Sequence, residues 1–241
     1  MALRLFIVHG SHPCNTVMKA LELKGLSYKV VELPPPMHAA VTKVVFGERT
    51  VPALIIDGGE KVRGSRAILR RLDVLAPDPP LLPADPATRD AVLEAERWGD
   101  ETFQPVARRL LWTTFARRPE TMAGYQDGGR LPALPLPVLK ALAPVITRVE
   151  KRLNAVTPET VQRDLEQLPA HLDLIDAWLA NGTLGTRPPN AADLQIAATL
   201  RLLLTIGDVR PVVEGRPAAD LALRLFPHVA GTTPAGVLSP A

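Results

Sequence analysis

Ser11, His12, Pro13 and Cys14 bring a hydroxyl, an imidazole and a thiol into consecutive positions where the chain reads as entering a helix. The free N–H groups and macrodipole of a helix N-terminus favour an anion. A serine hydroxyl there can donate a hydrogen bond to a bound thiolate, or simply cap the helix. Cys14 offers different chemistry, a thiolate nucleophile for thiol–disulfide exchange. Its spacing argues against that use. Cys14, Val17, Met18 and Leu21 fall at i, i+3, i+4 and i+7, one helical face, and a cysteine on such a face acts as a small hydrophobe. There is no Cys-x-x-Cys pair, because Ser11 holds the first position.

Other polar groups are spread along the chain. Ser65 and Arg66 open a second helix, with Ser65 read as its N-cap. Arg49 and Val51 flank Pro52, where an X-Pro bond fits a cis bend before a strand. The five histidines (His9, His12, His38, His171, His228) show no metal-ligand spacing, so no metal is expected and they read as structural or solvated, His12 excepted because it flanks Ser11. Trp98, Phe103, Trp112 and Phe115 suit core packing or the lining of an apolar pocket. Arg108, Arg109, Arg117 and Arg118 read as a solvated or interfacial face.

The elements that must position these groups change character along the chain. Leu3 to Val8 is an apolar run suited to a central strand, Pro13 to Leu26 a helix, and Tyr28 to Leu33 a second strand stopped by Pro34-Pro35-Pro36. Residues 37–49 read as a short irregular helix. Val51 to Ile56, Asp57-Gly58-Gly59 and Lys61 to Arg63 read as a hairpin, followed by a helix to about Leu75. The order is β-α-β-α-β-β-α. After a proline-rich linker, 77–86, every segment is helical in pattern. Asn190 and Asp193 form a capping-box variant before Leu194 to Ile206, which is apolar nearly all round and reads as a buried central helix. Residues 119–137 read as a long loop or lid, and 229–241 as a frayed tail.

Composition sets bounds on partners. The net charge is +3 with Lys and Arg scattered, so neither nucleic acid nor an anionic membrane is implied. No apolar run approaches the roughly 20 residues needed to span a bilayer. One cysteine excludes an intrachain disulfide, and the first ten residues read as a strand rather than a signal peptide. The expectation is a soluble cytoplasmic protein.

Four segments together resemble the glutathione transferase superfamily over about residues 3–228. Gly10-Ser11-His12-Pro13-Cys14-Asn15-Thr16-Val17 is similar to the delta-class serine motif at the first helix. Thr50-Val51-Pro52-Ala53-Leu54 resembles the cis-proline loop, Ser65-Arg66-Ala67-Ile68 the opening of the third helix, and Asn190 to Leu194 the capping box of the buried helix. The resemblance implies a two-domain fold: a thioredoxin-like, thiol-binding α/β domain (1–76) and an all-α helical domain (87–228). It implies glutathione as co-substrate, Ser11 as the catalytic group, and a homodimer. It also implies substrate-binding roles for Val51 (backbone N–H and C=O) and Pro52 at the bend, Ser65 at the γ-glutamyl carboxylate, Arg66 in support, and His12 beside Ser11. Arg49 stands where delta-class relatives commonly carry a histidine at the glycyl end. Gly64 replaces a common Glu or Gln, which removes a side-chain partner for the γ-glutamyl group. Adding the sulfur to an apolar electrophile is the activity implied. The alternatives are a non-catalytic binding or scaffold protein of the same fold, or a Cys14-dependent redox enzyme.

Overall fold

A computed structural model describes residues 2–238. Strands β1 (Leu3–Ile7), β2 (Lys29–Glu32), β3 (Ala53–Ile56) and β4 (Glu60–Arg63) form one sheet in the order β2-β1-β3-β4. β1 and β2 are parallel, while β3 runs antiparallel to both β1 and β4. Helices α1 (His12–Leu23), α2 (Met37–Phe46) and α3 (Ser65–Leu75) complete the expected β-α-β-α-β-β-α order.

Side chains alternate across the sheet as its period of two requires. Leu3, Leu5, Ile7, Leu54 and Ile56 join the main core beneath α1 and α3. Phe6, Ala53 and Ile55 face the other way and close a small core with Phe46 of α2. Phe6 and Phe46 meet edge to face at 5.1 Å between ring centroids.

The remainder is helical: α4 (Pro86–Trp98), α5 (Gln104–Arg117), α6 (Leu136–Leu153), α7 (Pro158–Ala180), α8 (Ala191–Leu203), α9 (Arg210–Val213) and α10 (Pro217–Leu225). α4 and α5 are joined by a π-helical turn, Gly99–Phe103. Pro105 cannot donate a backbone hydrogen bond, and the wider turn ahead of it accommodates that loss. Gly99 is required there. A Cβ at this position would lie 2.9 Å from Ile196 Cγ1, so glycine is what lets α8 approach.

α8 is the central helix, as its all-round apolar sequence requires. Its capping box is formed: Asn190 Oδ1 accepts from Asp193 N–H at 2.9 Å, and Asp193 Oδ2 from Asn190 N–H at 3.0 Å. One face of α7 buries Val161, Leu168, Leu172 and Ile175, and Pro169 is held inside the continuous helix.

Three expectations change. Residues 119–137 are not one long loop, because Pro119–Gln126 forms 3-10 turns with Met122 buried. Tyr125 donates its hydroxyl to Thr205 Oγ1 at 2.7 Å, which fixes the end of those turns. The described part of the expected tail is packed: Thr233 bridges Ile206, and Val237 and Leu238 are buried. The Asp208 carboxylate gathers the N–H groups of Gly236, Val237 and Leu238, while residues 239–241 lie outside the described residues. Arg108 and Arg109 are not on a solvated face. Arg109 forms a two-pronged ion pair with the buried Asp164, at 2.5 and 2.7 Å, and Arg108 turns into the cavity described next.

Candidate active site

A cavity of about 1120 Å³ opens between the end of the sheet and helices α5 and α6. The β1–α1 turn brings Ser11 and His12 to it, and the loop before β3 brings Arg49 and Val51. Ser11 is the N-cap of α1, with extended backbone (φ −68°, ψ 116°), and its side chain makes no capping hydrogen bond. Its hydroxyl lies within reach of the Cys14 thiol, at a helix terminus that favours an anion.

Cys14, one turn into α1, is 1 % exposed and belongs to the main core. Burial pushes its thiol up to about 11, against the opposing pull of the Ser11 hydroxyl and the Val8 backbone. A thiol with that value is almost wholly protonated near pH 7, which removes its nucleophilic form. His12 is also buried. Burial, followed by the nearby Arg108 charge, holds its pKa well below the usual histidine value, so the ring is neutral.

The bend between Val51 and Pro52 is a cis peptide. Pro52 is buried and its carbonyl accepts the Gly64 N–H at 3.0 Å, which sets the head of α3 beside the bend. Pro52, Ser65 and Arg66 do not line the cavity; they stand behind this bend. Ser65 is the first residue of α3 rather than its cap, because Gly64 takes the N-cap position with φ 77° and ψ 146°. That conformation is close to a region reserved for glycine. Gly64 is therefore a backbone requirement, and a glutamate placed there would be strained before it reached any ligand. Arg66 donates to Glu101 at 2.9 Å and lies 3.8 Å from Glu96, so its charge is already matched.

The four aromatic residues divide between core and cavity. Trp98 stacks on the buried Phe103 at 5.2 Å and meets Trp178 and His171 edge to face, packed against the helical core and away from the cavity. Trp112 and Phe115 line the cavity, and Phe115 packs on Tyr125 at 4.9 Å. Pro105, Arg108, Trp112 and Phe115 follow helical spacing along one face of α5. α6 supplies the facing wall with Leu139, Leu142 and Ile146.

Two further residues reach the cavity from unrelated parts of the chain. His38 of α2 and Glu150 of α6 stand 3.7 Å apart, Nδ1 to Oε1. Burial pushes the Glu150 carboxyl up to about 7, and the Asn154 amide and Arg108 charge only partly offset it. Neither residue carried a local sequence signal, and His38, read as structural or solvated, is largely buried on the cavity wall. His9 and Glu32 hold the rim. His9 Nε2 lies 2.8 Å from the Asp127 carbonyl, and Glu32 accepts the Arg130 N–H at 2.7 Å. Among the described residues, no group of three or more His, Cys, Asp or Glu side chains is placed to hold a metal ion.

Residues 5–80 match the family described as glutathione S-transferase, N-terminal domain. No curated protein matches the chain. Among solved structures, the β-etherase LigF from Sphingobium sp. strain SYK-6 aligns with TM-score 0.68 at 19% identity, over 93% of this chain and 94% of that one. A glutathione S-transferase from Methylobacterium radiotolerans, in complex with glutathione sulfonate, aligns with TM-score 0.56 at 23% identity, over 93% and 90%. FzlA from C. crescentus aligns with TM-score 0.60 at 20% identity, over 93% and 88%. At these identities the whole-chain likeness is one of fold. Residues 5–80 thus match the glutathione S-transferase N-terminal domain, and the whole chain, that α/β domain followed by a helical region, shares its fold with solved glutathione S-transferase structures.

Proposed function

We propose that the protein is a glutathione-dependent transferase that joins the sulfur of glutathione to an apolar electrophile. The observation that carries this reading is the cavity itself. An uncapped serine hydroxyl at a helix N-terminus and an apolar wall from α5 and α6 border the same space. In the reaction the thiolate sulfur supplies the electron pair for the new bond to carbon. The leaving group departs with its own bonding pair, or, in an addition, a proton from solvent completes the product. Ser11 donates to the thiolate throughout and forms no bond itself.

Val51 offers its backbone N–H and C=O to the cysteinyl part of glutathione at the cis bend. Ser65, with an uncommitted hydroxyl and a free N–H at the head of α3, suits the γ-glutamyl carboxylate. Arg49 suits the glycyl carboxylate, while Arg66 braces α3 through Glu101. His12 supports the turn that carries Ser11. The glutathione sulfonate in the Methylobacterium radiotolerans structure supports the choice of thiol.

Immobilised glutathione tests the reading directly. Retention of the protein, elution by free glutathione and conjugation of 1-chloro-2,4-dinitrobenzene are expected. A folded protein that shows neither retention nor conjugation is not a glutathione transferase. The same reading carries a cytoplasmic homodimer, the α/β domain of one subunit on the helical domain of the other. Light scattering that finds a stable monomer at micromolar concentration removes the dimer.

A further inference from the structure

The cavity is apolar along α6 and polar at one end, and the polar end is unsatisfied. Arg108 is largely buried there, its Nε has no hydrogen-bond partner, and among the described residues no carboxylate lies within ion-pair distance of its guanidinium. The neighbouring charges do not answer it. Arg109 is committed to Asp164, and Asp100 and Glu150 act on Arg108 only through space. His12 Nε2, His38 Nδ1 and Glu150 Oε1 are also buried without hydrogen-bond partners on the walls of the same cavity.

Buried polar groups are nearly always hydrogen-bonded, and a guanidinium carries five N–H donors in a fork that matches a carboxylate. An unanswered guanidinium facing an apolar chamber is a recognition group lacking its ligand. We propose that Arg108 binds the carboxylate of an apolar organic acid, so that the co-substrate of this enzyme is an electrophile carrying an acidic head group. Naming that ligand a co-substrate rests on the transferase reading; the binding itself does not. The apolar body of the acid lies against Leu139, Leu142 and Ile146 of α6, and Trp112 flanks it from α5. Glu150 does not repel such a head group strongly, because burial leaves its carboxyl in good part protonated near neutral pH.

The test is calorimetric and uses a matched pair of ligands, 4-phenylbutyrate and 4-phenylbutanol, without glutathione. The protein is expected to bind the acid ten- to a hundredfold more tightly than the alcohol, the range of a charge-assisted hydrogen bond. Arg108→Gln should erase that preference while leaving the alcohol's affinity unchanged, and Arg108→Lys should restore part of it. Equal affinity of the unaltered protein for acid and alcohol overturns the proposal, whether or not the variants fold. So does a preference that survives in a folded Arg108→Gln. Because no thiol enters the measurement, its failure leaves the transferase reading standing. Loss of glutathione retention with the preference intact would remove the transferase and keep the acid site.

Discussion

A hydroxyl at the head of a helix stabilises a thiolate through one directed hydrogen bond and, more weakly, through the helix dipole. A free thiol titrates near ~8.5, and each unit of depression corresponds to about 1.36 kcal/mol. A charge-assisted hydrogen bond of about 1.5–3 kcal/mol therefore accounts for a shift of one to two units. Ser11→Ala should slow conjugation by roughly ten- to a hundredfold near neutral pH, with the deficit shrinking as pH rises and solvent ionises the thiol unaided. Cys14→Ala should keep its rate and lose about 1–2 kcal/mol of stability, because its buried sulfur fills core volume. Paired pH–rate profiles check both, and a folded Cys14→Ala without activity would return the chemistry to the thiol. Glu150 gives the opposite kind of pH signal. Its carboxyl titrates near 7 in the folded protein and near ~4.3 in an unfolded chain, so between those values the folded state binds more protons. Stability from this group therefore falls as pH rises through that window, and the penalty is complete above it. His38, neutral through burial, and Arg108 on α5 face Glu150, with Asn154 on its own helix, and none cancels the burial. Glu150→Gln should raise the thermal midpoint at pH 8 and leave it nearly unchanged at pH 4, as followed by circular dichroism.

At the scale of elements, the 127–135 loop closes one side of the cavity, and it is held from the far domain. Glu32, at the end of β2, accepts the N–H groups of Arg130 and Leu131. Glu32→Ala removes those acceptors, and hydrogen exchange at Arg130 should quicken by roughly ten- to a hundredfold. Unchanged exchange would mean the loop is held by other contacts. Element order and the central helix were legible in sequence because each rests on a local pattern. The Cys14-Val17-Met18-Leu21 face gave α1, and the Asn190–Asp193 box gave the start of α8. The cavity's polar end was not legible. Arg108 shares a helical face with Trp112 and Phe115, a spacing that points inward, yet its charge suggested solvent. His38 and Glu150 come from helices far apart in sequence, and only the fold brings them together. Gly64 is the reverse case: resemblance to a family suggested only a lost contact, while the backbone, at φ 77° and ψ 146°, calls for glycine there.

On the scale of the whole molecule, the two halves share one core. Buried side chains of α1, α3 and the sheet are continuous with those of α4, α5 and α8. The seam also carries polar ties: Thr16 donates to the Leu194 carbonyl at 3.2 Å, and Arg70 pairs with the buried Glu96. Unfolding should accordingly show a single transition, coincident by far-UV circular dichroism and tryptophan fluorescence, and a fragment of residues 1–76 should not fold alone. Two separated transitions would show the halves to be independent. The segment joining them reads as a proline-rich linker, and Lys24 reaches its start from α1. Its fully buried ammonium donates to the Ala76 and Pro79 carbonyls at 2.6 and 2.9 Å and pairs with Asp73 at 2.8 Å. Asp73 in turn accepts the Leu81 N–H, and the Leu81 carbonyl accepts that of Ala191. A protease needs an extended strand that it can lift from the surface, and residues 76–82 offer none. Residues 127–138 are almost all exposed instead. Brief digestion with a protease of broad specificity should thus spare the proline-rich joint and nick the folded protein within 127–138, leaving two fragments that stay together until denatured.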